Sequence, residues 1–351
     1  MFKIRINNIE VDAEAGETIL SVSQRAGVSI PTLCHMDGIE HYTSCMVCMV
    51  RDKASDSYLP SCTALVREGM DIDASGEDVV SARKKAVELL LSEHRAECEA
   101  PCRIVCPAGY DIPRLNRLLA AGEYIKAIEL VMSELDAPEI RCLSCRGYCE
   151  NACRRRKIDR QVSIRNIRIF IYHNLNYQGG PQKPVELTEF PDFKKIFSSR
   201  TGRIEEEELK EWLKECREAG KRFESVTDFI SAGEEAKNCM HCDCRASDNC
   251  RLRELAQELG IRDRGNKVAG LPLTKKISQG TGLIFEHAKC IKCGLCVRIC
   301  EDKKEEPSLC FINRGFVSLI SEPLTAEFDD IPAAQAELCV NVCPTGALSF
   351  F

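Results

Sequence analysis

The sequence predicts an α+β chain made of several domains. It has 351 residues, a length that at about 150 residues per domain corresponds to two or three domains. Apolar and polar residues alternate near the N-terminus, whereas later stretches follow a helical period, so both strands and helices are expected. The third observation is the presence of 23 cysteines, because they are concentrated in a few short stretches of the chain.

The first stretch is predicted to be rich in β-structure. Strands are expected at residues 2–6 and 9–11, where apolar positions alternate on either side of an Asn-Asn turn. Helical spacing over 17–26 ends at a glycine. Further strands are expected at 46–50 and around Ile72.

Helical periodicity begins at residue 77. One helix is predicted to run from there toward His94, and two short helices are predicted within 114–131, separated by a glycine. Glycine and proline mark 178–205 as a linker or irregular loop. A strongly charged helix is expected over 205–218, with most of its surface solvated.

Composition excludes several classes of function. The formal net charge is −6, so the basic surface typical of nucleic-acid binding is missing. No apolar run is long enough for a membrane span, and the N-terminus lacks the apolar core of a signal peptide. The sequence therefore predicts a cytoplasmic protein with no membrane span. Thiols in a reducing compartment favour metal ligation over disulfides. All cysteines except Cys216 fall into four groups, at 34–62, 98–153, 239–250 and 290–343.

The first group has the spacing C-x10-C-x2-C-x13-C, formed by Cys34, Cys45, Cys48 and Cys62. A long loop, a tight C-x2-C turn and a distal fourth thiolate can hold a [2Fe-2S] cluster. A zinc site would more often use two short knuckles. The spacing and the stretch Ile-Pro-Thr-Leu-Cys-His at 30–35 resemble the large iron–sulfur subunit of complex I and iron-only hydrogenases. That resemblance implies a β-grasp [2Fe-2S] ferredoxin domain over residues 1–76.

The second group supplies seven thiols and one imidazole, the number of ligands that two [4Fe-4S] clusters require. Its sequence contains Cys-Pro-Ala-Gly-Tyr-Asp-Ile-Pro at 106–113 and Cys-Arg-Arg at 153–155. In these two stretches it resembles the sequence of glutamate synthase small subunits and dihydropyrimidine dehydrogenase. The resemblance implies a helical bis-[4Fe-4S] domain over 77–177. The ligand candidates are His94, Cys98, Cys102, Cys106, Cys142, Cys145, Cys149 and Cys153.

How these eight ligands divide is implied only by the same resemblance. It places His94, Cys98, Cys102 and Cys153 on one cluster, and Cys106, Cys145 and Cys149 on the other. The family's last ligand is often Gln or Glu, at a position that here is Arg168. An arginine cannot ligate iron, so Cys142 is predicted to replace it. The chain has neither a G-x-G-x-x-G fingerprint nor a phosphate loop, so no FAD or NAD is expected on it.

The fourth group contains a bacterial ferredoxin run, C-x2-C-x2-C-x3-C, at 290–300. In two-cluster ferredoxins the fourth cysteine of such a run serves the other cluster. The partner half keeps only its end, because alanines occupy two of its ligand positions. One cluster is therefore expected on Cys290, Cys293, Cys296 and Cys343. The remaining Cys300, Cys310 and Cys339 either hold a further cluster or are the remnant of a lost one, and loss is the favoured interpretation.

The third group is compact and leaves its metal open. Four thiolates, Cys239, Cys242, Cys244 and Cys250, lie within 12 residues and can hold one zinc ion or one more [4Fe-4S] cluster. His241 offers a competing nitrogen. The neighbouring cluster motifs favour iron. Residues 178–238 are predicted to be a linker with the charged helix, and 239–351 a cysteine-rich, bacterial-ferredoxin-like domain.

A chain with one [2Fe-2S] cluster, three to four [4Fe-4S] clusters and no substrate pocket in evidence is predicted to carry electrons. The resemblances imply a subunit of a soluble oxidoreductase related to electron-bifurcating hydrogenases. Its partners would be a complex-I-type flavin subunit that oxidises NADH, ferredoxin, and a separate catalytic subunit such as a nickel–iron hydrogenase. One alternative is a relay for a separate glutamate-synthase-like NADP flavoprotein. Another is a zinc-bound interaction scaffold.

Overall fold

The computed structural model describes residues 1–40, 42–94, 98–134, 141–175, 225–261, 275–303 and 308–350. The chain divides into two compact units, Met1–Arg95 with Asp248–Phe351, and Ala96–Ser247. Helices and strands are both present, in agreement with the predicted mixed class. Along these ranges, none of the helices has the length and apolar character needed to cross a membrane. The predicted charged helix at 205–218 and Cys216 lie outside the described residues.

The first unit begins with a five-stranded sheet. Its strands are β1 (Phe2–Ile6), β2 (Ile9–Ala13), β3 (Met49–Asp52), β4 (Ser57–Pro60) and β5 (Asp71–Asp73), in the order β2-β1-β5-β3-β4. β1 and β5 run parallel and the other pairs antiparallel. Alternating side chains of β1 face the core, where Ile4 and Ile6 are buried, as the pattern predicts.

Two helices accompany this sheet. α1 (Ile19–Arg25) begins at Thr18, whose side chain accepts a hydrogen bond from the Ser21 amide, a normal N-cap. α2 (Glu77–Glu93) ends at His94, as predicted. The strand expected at 46–50 begins instead at Met49, because Met46 adopts a positive φ of 56°. That turn, rather than a strand, carries the second and third cysteines.

The rest of the first unit follows residue 248. Its helices are α9 (Arg251–Glu258), α10 (Leu295–Lys303) and α11 (Ala333–Val342). Its strands are β6 (Lys275–Ile277), β7 (Leu283–Glu286), β8 (Cys310–Ile312), β9 (Leu319–Ser321) and β10 (Leu348–Phe350). Three of them form a sheet with the order β10-β7-β6, and β8 pairs with β9 in a separate ribbon.

The second unit is helical in its described parts. Its helices are α3 (Pro101–Ile104), α4 (Ile112–Ala120), α5 (Tyr124–Ser133), α6 (Tyr148–Asn151), α7 (Ile164–His173) and α8 (Phe229–Ala236). α4 and α5 are the two short helices predicted within 114–131, and Gly122 between them has a φ of 76°. One apolar core includes side chains of α4, α5, α7 and α8, and several cysteines border it.

Candidate metal centres

The four thiols of the first group lie close together in the first unit. Cys34, Cys45, Cys48 and Cys62 are all buried. The sulfur atoms of Cys48 and Cys62 lie 3.3 Å apart. The hydrogen bond between these two sulfurs lowers the pKa of Cys48 to about 6, against the effect of burial, and raises that of Cys62. Four buried sulfur ligands of this kind fit a [2Fe-2S] cluster.

The predicted C-terminal site also assembles, in the same unit. Burial, followed by the charges of Cys290, Cys293 and Cys343, raises the pKa of Cys296, which shows that the four thiols are neighbours. The turn between them uses left-handed backbone at Lys292 and Gly294. The Lys292 amide donates a hydrogen bond of 3.3 Å to the sulfur of Cys290. A convergent thiol set with an amide donor fits a [4Fe-4S] cluster.

These two sites of the first unit are close to each other. The causes that raise the pKa of Cys293 are burial first, then its own site partners, and finally the charge of Cys34. Cys34 belongs to the first-group thiols. A thiolate of one site is thus within electrostatic range of a thiolate of the other.

Two further cysteines of the fourth group contact each other directly. The sulfur atoms of Cys300 and Cys339 are 3.5 Å apart and buried. Cys310 lies on β8. Burial raises the pKa of Cys310, and the charge of Glu322 adds to the rise. Ala336 is fully buried at a position where the two-cluster pattern would carry a ligand. Whether this region holds a cluster stays a prediction.

In the second unit, one thiol site lies at an open cavity lined by Cys106, Cys142 and Cys145. Burial raises the pKa of Cys149 to about 12, and Cys106 and Cys142 add to the shift, so Cys149 is their neighbour. The Gly147 amide donates a 3.4 Å hydrogen bond to the sulfur of Cys145. The structure therefore brings together Cys142 and the three cysteines with which it was predicted to share a cluster.

Arg168, at the predicted position of the missing family ligand, borders this site. Its side chain is fully buried, and its guanidinium carbon lies 3.6 Å from the ring centre of Tyr110. Nη1 donates a 2.8 Å hydrogen bond to the carboxylate of Glu134. Burial raises the pKa of Cys142, and the charge of Arg168 opposes that rise. The arginine therefore supplies positive charge to the site rather than a ligand.

A second cavity in this unit is lined by Cys102, Cys153, Cys239 and Cys242. Burial strongly raises the pKa of Cys102, and the thiols of Cys239, Cys153 and Cys242 raise it further. Cys149 also contributes, so this cavity is close to the site of Cys106 and Cys142. Sequence reasoning did not pair the second and third groups. Spacing carried no signal for this pairing, because the two groups are far apart in the chain.

The remaining candidates are distributed as follows. Cys98 and Cys244 are buried in the second unit, and the Cys244 amide donates a 2.9 Å hydrogen bond to the Cys98 carbonyl. His94 is buried at the end of α2 in the first unit. Cys250, at the start of α9, lies 4.0 Å from the Pro344 carbonyl. Within the ranges described above, no three His, Cys, Asp or Glu side chains are arranged to hold a single metal ion, and zinc at 239–250 stays a prediction.

Comparison with known proteins identifies two domains. Residues 1–77 match the 2Fe-2S iron-sulfur cluster binding domain family. Residues 80–179 match the family of dihydropyrimidine dehydrogenase domain II, 4Fe-4S cluster. The chain thus contains a [2Fe-2S] domain followed by a [4Fe-4S] domain, as predicted.

Individual relatives point the same way. The mitochondrial 78 kDa subunit of NADH-ubiquinone oxidoreductase from Candida albicans is 29% identical over 96 residues, 27% of this chain and 13% of that protein. The gamma subunit of the NAD-reducing hydrogenase HoxS of Cupriavidus necator is 24% identical over 153 residues, 42% of this chain and 64% of that protein. This chain therefore spans less than two thirds of the length of these relatives.

A solved structure is similar in fold. A chain from the crystal structure of an NAD+-reducing [NiFe]-hydrogenase in the H2-reduced state superposes with a TM-score of 0.51 and 15% identity. The alignment covers 99% of this chain and 87% of that one. The chain is an iron–sulfur protein related to subunits of NAD-reducing hydrogenase and complex I.

Proposed function

We propose that this chain is the electron-transfer subunit of a multisubunit, NADH- or ferredoxin-linked oxidoreductase of the hydrogenase type. The observation that carries the proposal is the pairing of thiol sites within each unit. Cys34 is close to Cys293 in the first unit, and Cys102 is close to Cys149 in the second. Electron transfer requires redox centres that are close to each other. An interaction scaffold or a set of isolated structural metal sites has no such requirement.

The proposed architecture has four parts. Residues 1–76 form a β-grasp ferredoxin domain and 77–177 a helical bis-[4Fe-4S] domain. The third part, 178–238, is proposed as a linker with a charged helix. The fourth, 239–351, is proposed as a bacterial-ferredoxin-like domain, whose first residues up to Ser247 belong to the second compact unit. The order β2-β1-β5-β3-β4, with β1 and β5 parallel, supports the first assignment. The C-x2-C-x2-C turn leading into α10 supports the last.

Bound at these thiols, iron–sulfur clusters would supply one-electron oxidation and reduction. The protein's own contribution is to hold the ligands, to exclude water and to set the local charge. The first-group thiols are buried, which protects bound metal from solvent. Amides of Gly147 and Lys292 donate hydrogen bonds to ligand sulfurs. Such bonds stabilise thiolates and raise the reduction potential of a group bound there.

Metal content tests the proposal on the whole, anaerobically purified chain. One [2Fe-2S] and three [4Fe-4S] clusters give about 14 iron and the same amount of sulfide per chain. A fourth [4Fe-4S] cluster would raise iron to about 18. Cys216→Ser, at the cysteine that lies outside the four groups, is the matched control and should keep the wild-type value. Only a few iron atoms, together with several zinc ions, would contradict the proposal and favour the scaffold.

The proposed partners are a complex-I-type flavin subunit that oxidises NADH, a ferredoxin, and a separate catalytic subunit such as a nickel–iron hydrogenase. Coupling of exergonic and endergonic electron transfer by bifurcation is part of this proposal. The relatives' membership of such complexes supports it. Purification of the native complex, with flavin, nickel and iron measured per chain, tests it. A complex without flavin would exclude NADH as the direct donor.

The match of residues 80–179 to dihydropyrimidine dehydrogenase domain II favours a second candidate. In it, the helical domain receives electrons from a separate NADP-linked flavoprotein. The two candidates differ in the nucleotide that reduces the native complex. Rapid bleaching of the visible absorption by NADPH but not NADH would select the second candidate.

A further inference from the structure

We propose that Cys102, Cys153, Cys239 and Cys242 together ligate one [4Fe-4S] cluster, which joins two cysteine groups that are far apart in sequence. This assignment rests on the proposed function, since it requires the chain to bind iron–sulfur clusters. It replaces the predicted ligand set in which Cys102 and Cys153 share a cluster with His94 and Cys98. It also removes Cys239 and Cys242 from a self-contained third site.

The four thiols converge from three places in the second unit, namely α3, the end of the turn after α6, and the segment after α8. All four line one cavity. The cavity wall also carries the apolar side chains of Ile112, Val162 and Ile164. Four thiols on one wall match the ligand number of a cubane cluster.

The backbone directs both late cysteines toward this cavity. His241, between the two cysteines of the C-x2-C pair, has a φ of 45°. A left-handed residue reverses the chain locally and is uncommon outside glycine. Because of this turn, the cysteines on either side of His241 line the same cavity.

Contacts from α4 and α7 hold the segment that carries Cys239 and Cys242 in place. Asp243, which is buried, forms hydrogen bonds of 2.8 to 2.9 Å with Arg117 of α4. Glu235 in α8 accepts a 3.0 Å hydrogen bond from the Ser163 amide at the start of α7. A buried carboxylate with a guanidinium partner holds its segment firmly. The position of Cys239 and Cys242 is therefore determined by the fold of this unit.

Positive charge lies beside the same cavity. A cluster with four thiolate ligands carries net negative charge, and burying it requires positive charge nearby. Arg154 and Arg155 line the cavity and are buried to at least 98%. Arg155 also forms an ion pair with Asp159. Two buried guanidiniums at this wall therefore fit an anionic occupant.

Single serine variants of the full chain test the ligand set. Cys102→Ser, Cys153→Ser, Cys239→Ser and Cys242→Ser should each lower iron by about four per chain, or convert the cluster to a [3Fe-4S] form. All four should alter the same component of the low-temperature EPR spectrum. Cys216→Ser, at the cysteine outside the four groups, is the matched control and should leave every component unchanged. The component assigned to Cys106, Cys142, Cys145 and Cys149 reports whether the second unit of each variant is folded.

A second measurement uses the wild-type chain and needs no variant. Anaerobic alkylation followed by mass spectrometry should find all four thiols protected in the iron-loaded protein. Partial iron chelation should expose them in one phase. Labelling of Cys239 and Cys242 before any iron is removed would overturn the assignment, and so would exposure in a phase separate from Cys102 and Cys153.

The outcomes separate this assignment from the proposed function. If the wild-type chain contains little iron, the proposed function fails and the ligand assignment fails with it. If the wild-type chain has its full iron but Cys102→Ser and Cys239→Ser remove different EPR components, only the ligand assignment is wrong. A zinc ion recovered with Cys239 and Cys242 would likewise overturn the assignment alone.

Discussion

Replacement of Arg168 by methionine should lower the reduction potential of the cluster bound by Cys106, Cys142, Cys145 and Cys149. Arg168 is fully buried, and its charge acts on Cys142. A hydrogen bond from the Arg168 side chain to Cys142 acts in the same direction as that charge. A cation at this position stabilises the reduced, more negative state of a nearby redox centre. Its removal therefore favours the oxidised state.

The size of the effect follows from Coulomb's law. At an effective dielectric constant of about 20, a unit charge about 8 Å from the redox centre contributes about 2 kcal/mol. Because about 1.4 kcal/mol corresponds to 59 mV for a one-electron couple, Arg168→Met should lower the potential by on the order of 90 mV. Arg168→Lys keeps the charge and should cause a smaller shift.

The buried partner of Arg168 supplies a control for the sign. Glu134 pairs with the guanidinium at 2.8 Å and also accepts a hydrogen bond from the Asp111 amide. In the single variant its negative charge remains, as in the wild type, but is no longer balanced by the cation. In the double variant with Glu134→Gln both charges are gone, while the amide oxygen can still accept from Asp111. The double variant should therefore have a potential between those of wild type and Arg168→Met.

EPR-monitored redox titration of the anaerobic, full-length chain measures these potentials. The [2Fe-2S] signal of the other unit serves as the internal reference and should keep its midpoint. An upward shift in Arg168→Met, or one within the error of the titration, would refute the electrostatic reasoning. A double variant with a lower potential than the single variant would refute the role given to Glu134.

Three further predictions concern packing, pH and ligation. A Cβ at Gly233 would lie 2.8 Å from the α4 backbone, so Gly233→Ala should destabilise by about 1–3 kcal/mol through overpacking; an unchanged or raised Tm would contradict this. Burial and the charge of Lys276 lower the pKa of His287 to about 4, although Glu322 opposes the shift. The unfolded chain therefore binds a proton at a higher pH than the folded one, and the free energy of unfolding falls as the pH drops from 6.5 toward 4, by about 2 kcal/mol between pH 7 and 5. His287→Gln should therefore reduce the drop in Tm over that interval, and an equal drop would disprove it. Cys343→Ala should abolish one [4Fe-4S] EPR component and keep the [2Fe-2S] signal, and survival of every component would show that the C-terminal ligand set is wrong.

Local patterns predicted most of the described elements. β1, β2, α1, α2, α4 and α5 follow from periodicity and glycine stops, because those signals depend on residues near each other in the chain. β3 was predicted three residues too early, since an apolar run cannot reveal the positive φ of Met46. β4 was not predicted, because Ser57–Pro60 is short and only partly buried. Its pairing with β3 depends on the sheet rather than on its own sequence.

The cysteine sites show the same division between local and nonlocal information. The first group and the ferredoxin run have self-contained spacings, and their thiols converge as the spacings predict. Cys142 could also be predicted, since the arginine at the expected ligand position needs a substitute. The partner of Cys102 and Cys153 could not be predicted from spacing. It depends on how α8 packs against α4 and on the Arg117–Asp243 pair, which are tertiary contacts.

Spatial sites, and not sequence groups, should therefore be the units in which electron flow through this chain is analysed. The cysteines of a sequence group are close to each other along the chain. The ligands of a cluster only need to be close to each other in space. The third group illustrates the difference. Cys239 and Cys242 line a cavity with second-group thiols, and the backbone amide of Cys244 donates a hydrogen bond to the Cys98 carbonyl. If each site is shared in this way, loss of one late cysteine should affect redox centres assigned by sequence to the earlier domain. A relay built from shared sites also couples folding to cluster assembly, since neither group can complete its cluster before the other has folded.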